Sequence, residues 1–179
     1  NEINISIGIL GLGNLGGDAA IKLKNIGFDV YGYSPSPKQI NGVKCFSGDE
    51  MDKFLKNINV LVCTVPYTPK THGLLSRKLF DQLSNPTYLI NVARGKVQNE
   101  KDIINAINEG ILTGAFLDVF EKEPLPVSSP LWNNKKIKIT PHIASITNSE
   151  AGANQIIENY NRNKKGESLL NQVDLEKGY

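Results

Sequence analysis

The sequence predicts an α/β fold in which a parallel sheet carries helices on both faces. Short apolar segments of strand length alternate along the chain with segments whose apolar residues recur at helical spacing. Repeated β–α units of this kind build a parallel sheet, because each helix returns the chain to the start of the next strand. The predicted strands are 5–10, 28–33, 60–65, 88–92, 115–119 and 137–140.

Local capping signals bound several of the predicted helices. A Ser-x-x-Glu capping box at 47–50 precedes a short helix, and a Thr-x-x-Glu box at 147–150 opens the last one. Asn99 is predicted to begin a helix that ends at Gly110, the kind of residue that closes helices. A further short helix is predicted around 79–83.

Three glycines stand where the first strand turns into the first helix, in the stretch 5–17, ISIGILGLGNLGG. In a dinucleotide site, the first glycine makes the tight turn, the second lets the backbone approach a pyrophosphate, and the third lets helix and strand pack closely. The pyrophosphate then lies at the helix N-terminus, here at Asn14 and Leu15. The context favours a Rossmann-like, doubly wound sheet in three layers, αβα, over a glycine-rich turn in an ordinary α/β protein. The three glycines are Gly11, Gly13 and Gly16.

The segment after the second strand indicates which dinucleotide is preferred. NAD sites usually place an Asp or Glu there for the ribose hydroxyls, whereas this chain reads YSPSPK. Ser34, Ser36 and Lys38 offer two hydroxyls and an ammonium to a 2′-phosphate, and no carboxylate repels it. NADP(H) is therefore favoured, with NAD(H) as the second cofactor that the site could take. The alternative is a proline-rich turn without selectivity, since the Arg that most often binds this phosphate is missing.

Three titratable residues follow later strands, at the sheet edge where open α/β sheets bind ligands. Arg94 could pair bidentately with a carboxylate, Glu123 could orient an imidazole, and His142 could donate a proton near neutral pH. Each alone also fits a plainer role, as a helix-packing ion pair, a solvated loop acid or a satisfied loop histidine. Because they share an edge with the glycine turn, the catalytic interpretation is favoured.

Four motifs in this order, GLGNLG, NVARG, GAFLDVFEKEPLP and TPHIASIT, resemble the D-isomer-specific 2-hydroxyacid dehydrogenases. The likeness is closest to the glyoxylate/hydroxypyruvate reductase branch, which shares SPLW before TPH and QVD near the C-terminus. It implies that Arg94 binds the carboxylate and carbonyl of a small 2-keto acid, and that His142, hydrogen-bonded by Glu123, is the acid/base. It also implies cofactor contacts at Asp118 near the nicotinamide carboxamide, Val92 and Ala93 at the nicotinamide, and Val65 and Pro66 near the adenosine half.

The resemblance also divides the chain. It implies a nucleotide-binding domain over 1–165 and a C-terminal tail over 166–179, with the family's N-terminal substrate domain missing. Because the first core strand follows Asn1 so closely, we expect the chain to come from the middle of a longer protein. The family is typically dimeric through this domain, which implies a homodimer. A second hypothesis remains beside the reductase: a non-catalytic NAD(P)-binding sensor or corepressor-like module.

Composition excludes other classes of function. A net charge of +2 spread along 179 residues indicates neither a nucleic-acid nor a membrane partner. Cys45 and Cys63 are too few for a disulfide framework, so we interpret both as reduced thiols of a cytoplasmic protein. No His, Cys, Asp or Glu cluster has metal-ligand spacing, and hydride transfer needs no metal.

Overall fold

The computed structural model describes residues 5–145, 148–174, 176 and 178. Seven strands form one sheet in the order β3-β2-β1-β4-β5-β6-β7, and every neighbouring pair is parallel. The predicted Rossmann-like, doubly wound α/β fold is thereby confirmed. The strands are β1 (Ser6–Leu10), β2 (Asp29–Ser34), β3 (Lys44–Ser47), β4 (Val60–Cys63), β5 (Thr87–Asn91), β6 (Leu112–Leu117) and β7 (Ile137–Ile139).

The described chain forms two compact units, one ending at His142 and the other beginning at Ile143. All seven strands belong to the first unit, and the last helix belongs to the second. The domain boundary expected after residue 165 stays a prediction. The helices are α1 (Asn14–Asn25), α2 (Met51–Leu55), α3 (Arg77–Phe80), α4 (Glu100–Asn108) and α5 (Ser149–Lys165).

The first strand shows how helices cover both faces of the sheet. Ile7 and Ile9 point to one face and belong to an apolar cluster with Ala20 of α1. Gly8 points to the other face, where a Cβ would lie 2.9 Å from the ring of Phe54 in α2. Since alternate residues of a strand face opposite sides, α1 and α2 lie on opposite faces, which gives the three predicted layers.

The capping signals have mixed outcomes. Asn99 caps α4 as predicted, because its side chain accepts a hydrogen bond from the backbone N–H of Asp102 at 3.0 Å, and the chain leaves the helix at Gly110 with φ of +81°. In the box at 47–50, Glu50 accepts from the backbone N–H of Ser47 at 3.3 Å, and α2 itself begins at Met51.

The N-cap of the last helix is one residue later than predicted. Thr147, the first residue of the predicted box, lies outside the described residues. Asn148 is the N-cap of α5, and its side chain accepts from the backbone N–H of Ala151 at 2.9 Å. Among the described residues, no helix combines the length and apolar composition needed to cross a membrane.

The edge strand β3 is the one strand that no sequence pattern predicted. Of its four residues, only Phe46 is buried, because the strand pairs on one side only, with β2. A strand with a single buried residue has no apolar alternation for sequence reasoning to find.

Candidate active site

The sheet order reverses at β1, whose neighbours are β2 and β4, and the glycine turn follows this strand directly. Gly11 has φ of +106°, a conformation that side chains disfavour. Its N–H donates to the carbonyl of Tyr33 at 2.9 Å, and its carbonyl accepts from the hydroxyl of Thr64 at 2.8 Å. The turn is therefore anchored to the ends of both neighbouring strands, at the crevice where doubly wound sheets bind ligands.

The other two glycines of the motif differ in their surroundings: Gly16 is tightly packed and Gly13 borders open space. A Cβ on Gly16 would lie 1.9 Å from the carbonyl oxygen of Gly11, so only glycine lets α1 approach the turn. Gly13, the N-cap of α1, has no atom within 4 Å of its ideal Cβ position. Asn14 and Leu15 are exposed, and the first turn of α1 contains no acidic residue. This end of α1 suits an anion such as a pyrophosphate.

The predicted 2′-phosphate residues lie at and beyond the end of β2. Ser34 ends the strand and is only 7% exposed, whereas Ser36 and Lys38 are exposed. Lys38 lines an open cleft of about 640 Å³ formed by residues 37–43 and 45–47, which include no Asp or Glu. The exposed ammonium therefore meets no neighbouring carboxylate in this cleft.

The residues implied at the cofactor by resemblance follow β4 and β5. Val65 is buried against the glycine turn, because a Cβ on Gly11 would lie 3.0 Å from its Cγ1 atom. Pro66, the next residue, is exposed. Val92 is half-buried and Ala93 is buried. Their roles toward a cofactor stay predictions.

Glu123 and His142 are in direct contact. The carboxylate oxygen Oε2 of Glu123 lies 2.8 Å from Nδ1 of His142, and its Oε1 accepts from the backbone N–H of Phe120 at 2.9 Å. His142 has φ of +54°, which is uncommon outside glycine, and its backbone N–H donates to the carbonyl of Asp118 at 2.9 Å. Both side chains remain partly exposed, so a ligand could reach the imidazole.

The surroundings keep Glu123 ionised. Partial burial raises the pKa of this carboxyl, but the hydrogen bonds from the His142 side chain and the Phe120 backbone outweigh burial and lower the pKa below its ordinary value. An ionised carboxylate only accepts hydrogen bonds, so Nδ1 of His142 must carry the proton between them. The other ring nitrogen, Nε2, is then the one available to a substrate.

Asp118 lies behind this pair and is 1% exposed. The hydroxyl of Thr140 donates to its Oδ1 atom, and its backbone N–H donates to the carbonyl of Asn91 in β5. Thr140 was not selected by sequence reasoning, because its contact depends on β6 and β7 being neighbours. The implied role of Asp118 at a carboxamide stays a prediction.

Arg94 follows β5, the strand next to the one that leads to Glu123. It is exposed and has extended backbone, and its Nη1 donates to the carbonyl of Ala93 at 2.7 Å. Strands β5, β6 and β7 are consecutive in the sheet, so Arg94 and the acid–base pair follow three adjacent strand ends. One edge of the sheet therefore carries a guanidinium that could bind a carboxylate and an imidazole that could donate a proton.

Other reactive groups do not add to the site. Burial raises the pKa of the Cys63 thiol to about 12, so this residue stays a neutral apolar group in β4. No group of three or more His, Cys, Asp or Glu residues in the described ranges could hold a metal ion.

Comparison with known proteins identifies the family of this chain. Residues 4–144 match the family model described as D-isomer specific 2-hydroxyacid dehydrogenase, NAD binding domain. Proteins named glyoxylate/hydroxypyruvate reductase A are similar: that of Photorhabdus laumondii is 45% identical over 174 residues, and that of Yersinia enterocolitica is 42% identical over 175. Each match covers 97% of this chain, which spans only 56% of the relative.

Solved structures share the fold closely. A D-isomer specific 2-hydroxyacid dehydrogenase from Xanthobacter autotrophicus, in complex with NADPH and MES, is 46% identical with a TM-score of 0.94, over 98% of this chain and 73% of that chain. An NADPH-dependent glyoxylate/hydroxypyruvate reductase from Sinorhizobium meliloti, in complex with NADP and sulfate, is 38% identical with a TM-score of 0.94, over 98% of this chain and 57% of that chain. The chain therefore belongs to the D-isomer-specific 2-hydroxyacid dehydrogenase family, whose NAD-binding domain it contains.

Proposed function

We propose that the full-length protein is an NADPH-dependent reductase of small 2-keto acids of the glyoxylate and hydroxypyruvate type, with 2-hydroxy acids as products. The observation that carries this proposal is the 2.8 Å contact between His142 Nδ1 and Glu123 Oε2, beside a glycine turn suited to a pyrophosphate. The names of the similar bacterial proteins support the substrate class. A sensor or corepressor need not keep a proton donor, so an imidazole held by a carboxylate favours an enzyme.

The described residues fit a bound dinucleotide phosphate. Gly13 leaves open space at the start of α1, where backbone N–H groups would hold the pyrophosphate. Ser36 and Lys38 are exposed at the end of β2, where they would hold a 2′-phosphate. NADP(H) is therefore the proposed cofactor ahead of NAD(H), in agreement with the dinucleotide found in two similar structures.

On this proposal the residues divide the work of the reaction. A dihydronicotinamide cofactor, whose pyrophosphate the start of α1 would hold, would supply a hydride to the keto carbon. Arg94 holds the substrate carboxylate and polarises the carbonyl. His142 donates its Nε2 proton to the oxygen that becomes the hydroxyl, so hydride and proton together complete the reduction. Glu123 stabilises the imidazolium before donation and fixes the orientation of the ring.

The test is to replace His142 by Asn in the full-length protein and to measure NADPH oxidation with glyoxylate and with hydroxypyruvate. We expect kcat to fall by about 10²- to 10⁴-fold, the usual contribution of a general acid, while the dissociation constant for NADPH stays within about twofold. The control is His72→Asn, since His72 is exposed and contacts Tyr67. Retained turnover in His142→Asn, or an equal loss of NADPH binding, would contradict the proposal.

We also propose a homodimer in the cytoplasm, with 165 as the last residue of the nucleotide-binding domain. The dimer and the domain boundary rest on the family resemblance, and the location is supported by Cys45 and Cys63, which are both free thiols. Light scattering on the full-length protein would test the dimer. The side chains that choose among keto acids belong, on this proposal, to the part of the relatives that this chain does not span.

A further inference from the structure

Two chain segments meet behind the candidate catalytic residues. Segment 95–100 follows Arg94, and segment 118–121 leads to Glu123. Their backbones touch, because a Cβ on Gly95 would lie 1.7 Å from the carbonyl oxygen of Phe120. The position of one segment therefore depends on the position of the other.

A buried amide joins the same two segments. Gln98 is 3% exposed, and its Nε2 donates to the carbonyl of Val119 at 3.0 Å. Its Oε1 accepts from Nδ2 of Asn91 at 2.8 Å, and Oδ1 of Asn91 accepts from the backbone N–H of Ala93 at 3.0 Å. This continuous chain of hydrogen bonds begins beside Arg94 and ends four residues before Glu123.

Two glutamates add a reciprocal connection further along. The backbone N–H of Glu100 donates to Oε1 of Glu121 at 2.8 Å, and the backbone N–H of Glu121 donates to Oε1 of Glu100 at 2.8 Å. The N–H of Glu100 is at the first position of α4, where backbone donors have no partner within the helix, and Glu121 supplies one. The first segment thus contacts the second at three positions, Gly95, Gln98 and Glu100.

We propose that Gln98 is a positioning residue that sets the spacing between Arg94 and the Glu123–His142 pair. This inference rests on the reductase function proposed above. Both ends of the Gln98 amide are bonded and the residue is buried, so the amide admits one arrangement of the two loops. A displacement of about 1 Å at a reacting centre reduces turnover by as much as 10²-fold, so a fixed spacing has a measurable value.

The sharpest variant is Gln98→Glu in the full-length protein. A glutamate of the same length keeps an acceptor for Asn91. When ionised, it places an oxygen against the carbonyl of Val119 and a second negative charge beside Glu100, whose carboxyl the Gln98 side chain also hydrogen-bonds. We expect kcat at about pH 8 to fall by roughly tenfold or more while the NADPH dissociation constant stays within about twofold. The ratio of variant to wild-type kcat should rise as the pH falls, because a protonated carboxyl can again donate to Val119.

A matched control separates positioning from a general effect of the substitution. Gln82 also donates from Nε2 to a backbone carbonyl, that of Lys78 at 2.8 Å, but on the exposed surface after α3. Gln82→Glu should leave kcat, its pH dependence and NADPH binding unchanged. If Gln98→Glu does not fold, Gln98→Met removes the side-chain hydrogen bonds of this residue without adding a charge, and the same loss of kcat is expected.

A spectroscopic measurement decides the proposal even if the protein reduces no keto acid. In the protein labelled with ¹⁵N-histidine, the proton on Nδ1 of His142 should give a low-field signal from its bond to Glu123. We expect this signal to shift or broaden in Gln98→Glu and Gln98→Met and to stay in place in Gln82→Glu. An unchanged signal, or a kcat within twofold of wild type in an active enzyme, would overturn the proposal. If the wild-type protein reduced no keto acid, that result would refute the reductase function but not the positioning role of Gln98.

Discussion

The glycine turn and the acid–base pair share one edge of the sheet, but they differ in which atoms leave no room for substitution. At the turn, Gly11 has φ of +106° and Gly16 lies where a Cβ would be 1.9 Å from the Gly11 carbonyl oxygen. At the pair, Glu123 and His142 are joined by a side-chain contact of 2.8 Å. Close backbone packing limits which residues fit at the turn. A hydrogen-bonding contact between two polar side chains sets the geometry of the pair.

The difference predicts two kinds of failure. A methyl group at Gly16 must displace backbone, so both folding and cofactor binding should suffer. A polar substitution of the same size at the pair keeps the packing and removes only a proton or a charge, so chemistry should suffer while the fold persists. Substitutions that separate folding from turnover therefore test whether the two regions differ in this way.

The largest effect on folding is expected from Gly16→Ala. The added Cβ would lie 1.9 Å from the carbonyl oxygen of Gly11 and 2.6 Å from the hydroxyl of Thr64, so the start of α1 must move away from the turn. We expect the free energy of unfolding to fall by about 3 kcal/mol and NADPH binding to weaken by more than tenfold. Urea denaturation and a fluorescence titration with NADPH would measure the two quantities.

Gly17→Ala is the matched control, one residue further along α1. Its Cβ would lie 3.8 Å from Cδ1 of Ile40, an ordinary contact. Because glycine is unfavourable inside a helix, we expect the free energy of unfolding to rise by as much as about 1 kcal/mol. Equal behaviour of the two alanine variants would show that backbone crowding does not explain the turn.

The same contrast explains what the sequence could predict. The turn was predictable because Gly11, Gly13 and Gly16 lie within one motif, after an alternating strand and before a helix. The cap at Asn99 was predictable because its partner Asp102 is three residues away. Features that depend on residues close together in the chain can therefore be predicted from the sequence.

Contacts between distant segments were not predictable in this way. Gln98 bonds to Val119 across 21 residues, and Thr140 bonds to Asp118 across 22, and both depend on the order of the strands. The fit of Gly95 against Phe120 also has no local pattern. Arg94, Glu123 and His142 were selected because each follows a strand at the ligand-binding edge. The contact between Glu123 and His142 was implied only by the family resemblance, and the structure shows it at 2.8 Å.

A smaller effect is expected at the cofactor end of the sheet, from Lys38→Ala. Lys38 is exposed, so its bond to a 2′-phosphate would be screened by solvent and contribute about 1.4 kcal/mol. We expect NADPH to bind about tenfold more weakly and NADH to bind as before. Titrations with the two dinucleotides would measure the change, with Lys56→Ala as a control on an exposed lysine at the end of α2. An equal loss for both cofactors would refute a role in phosphate selection.

The smallest effect is expected at the acid–base pair, in the pH dependence of stability. The pKa of Glu123 is lowered from its ordinary value of 4.5 in the folded protein, by hydrogen bonds that outweigh the opposing effect of burial. A lowered carboxyl pKa stabilises the folded state above the unfolded pKa, and this contribution is lost as the pH falls through the folded pKa. The advantage of wild type over Glu123→Gln should therefore be full at neutral pH and shrink as the pH falls below 4.5.

Urea denaturation of both proteins from about pH 3 to about pH 7 would measure this advantage. We expect it to stay below about 1 kcal/mol, because solvent screens a pair that is partly exposed. Glu167→Gln replaces an exposed carboxylate after α5 and corrects for the general effect of removing one charge. A small, pH-dependent advantage beside a large loss of turnover in the same variant would show that this region is built for chemistry. An advantage that does not change with pH would mean that the carboxylate adds no charge-dependent stability to the fold.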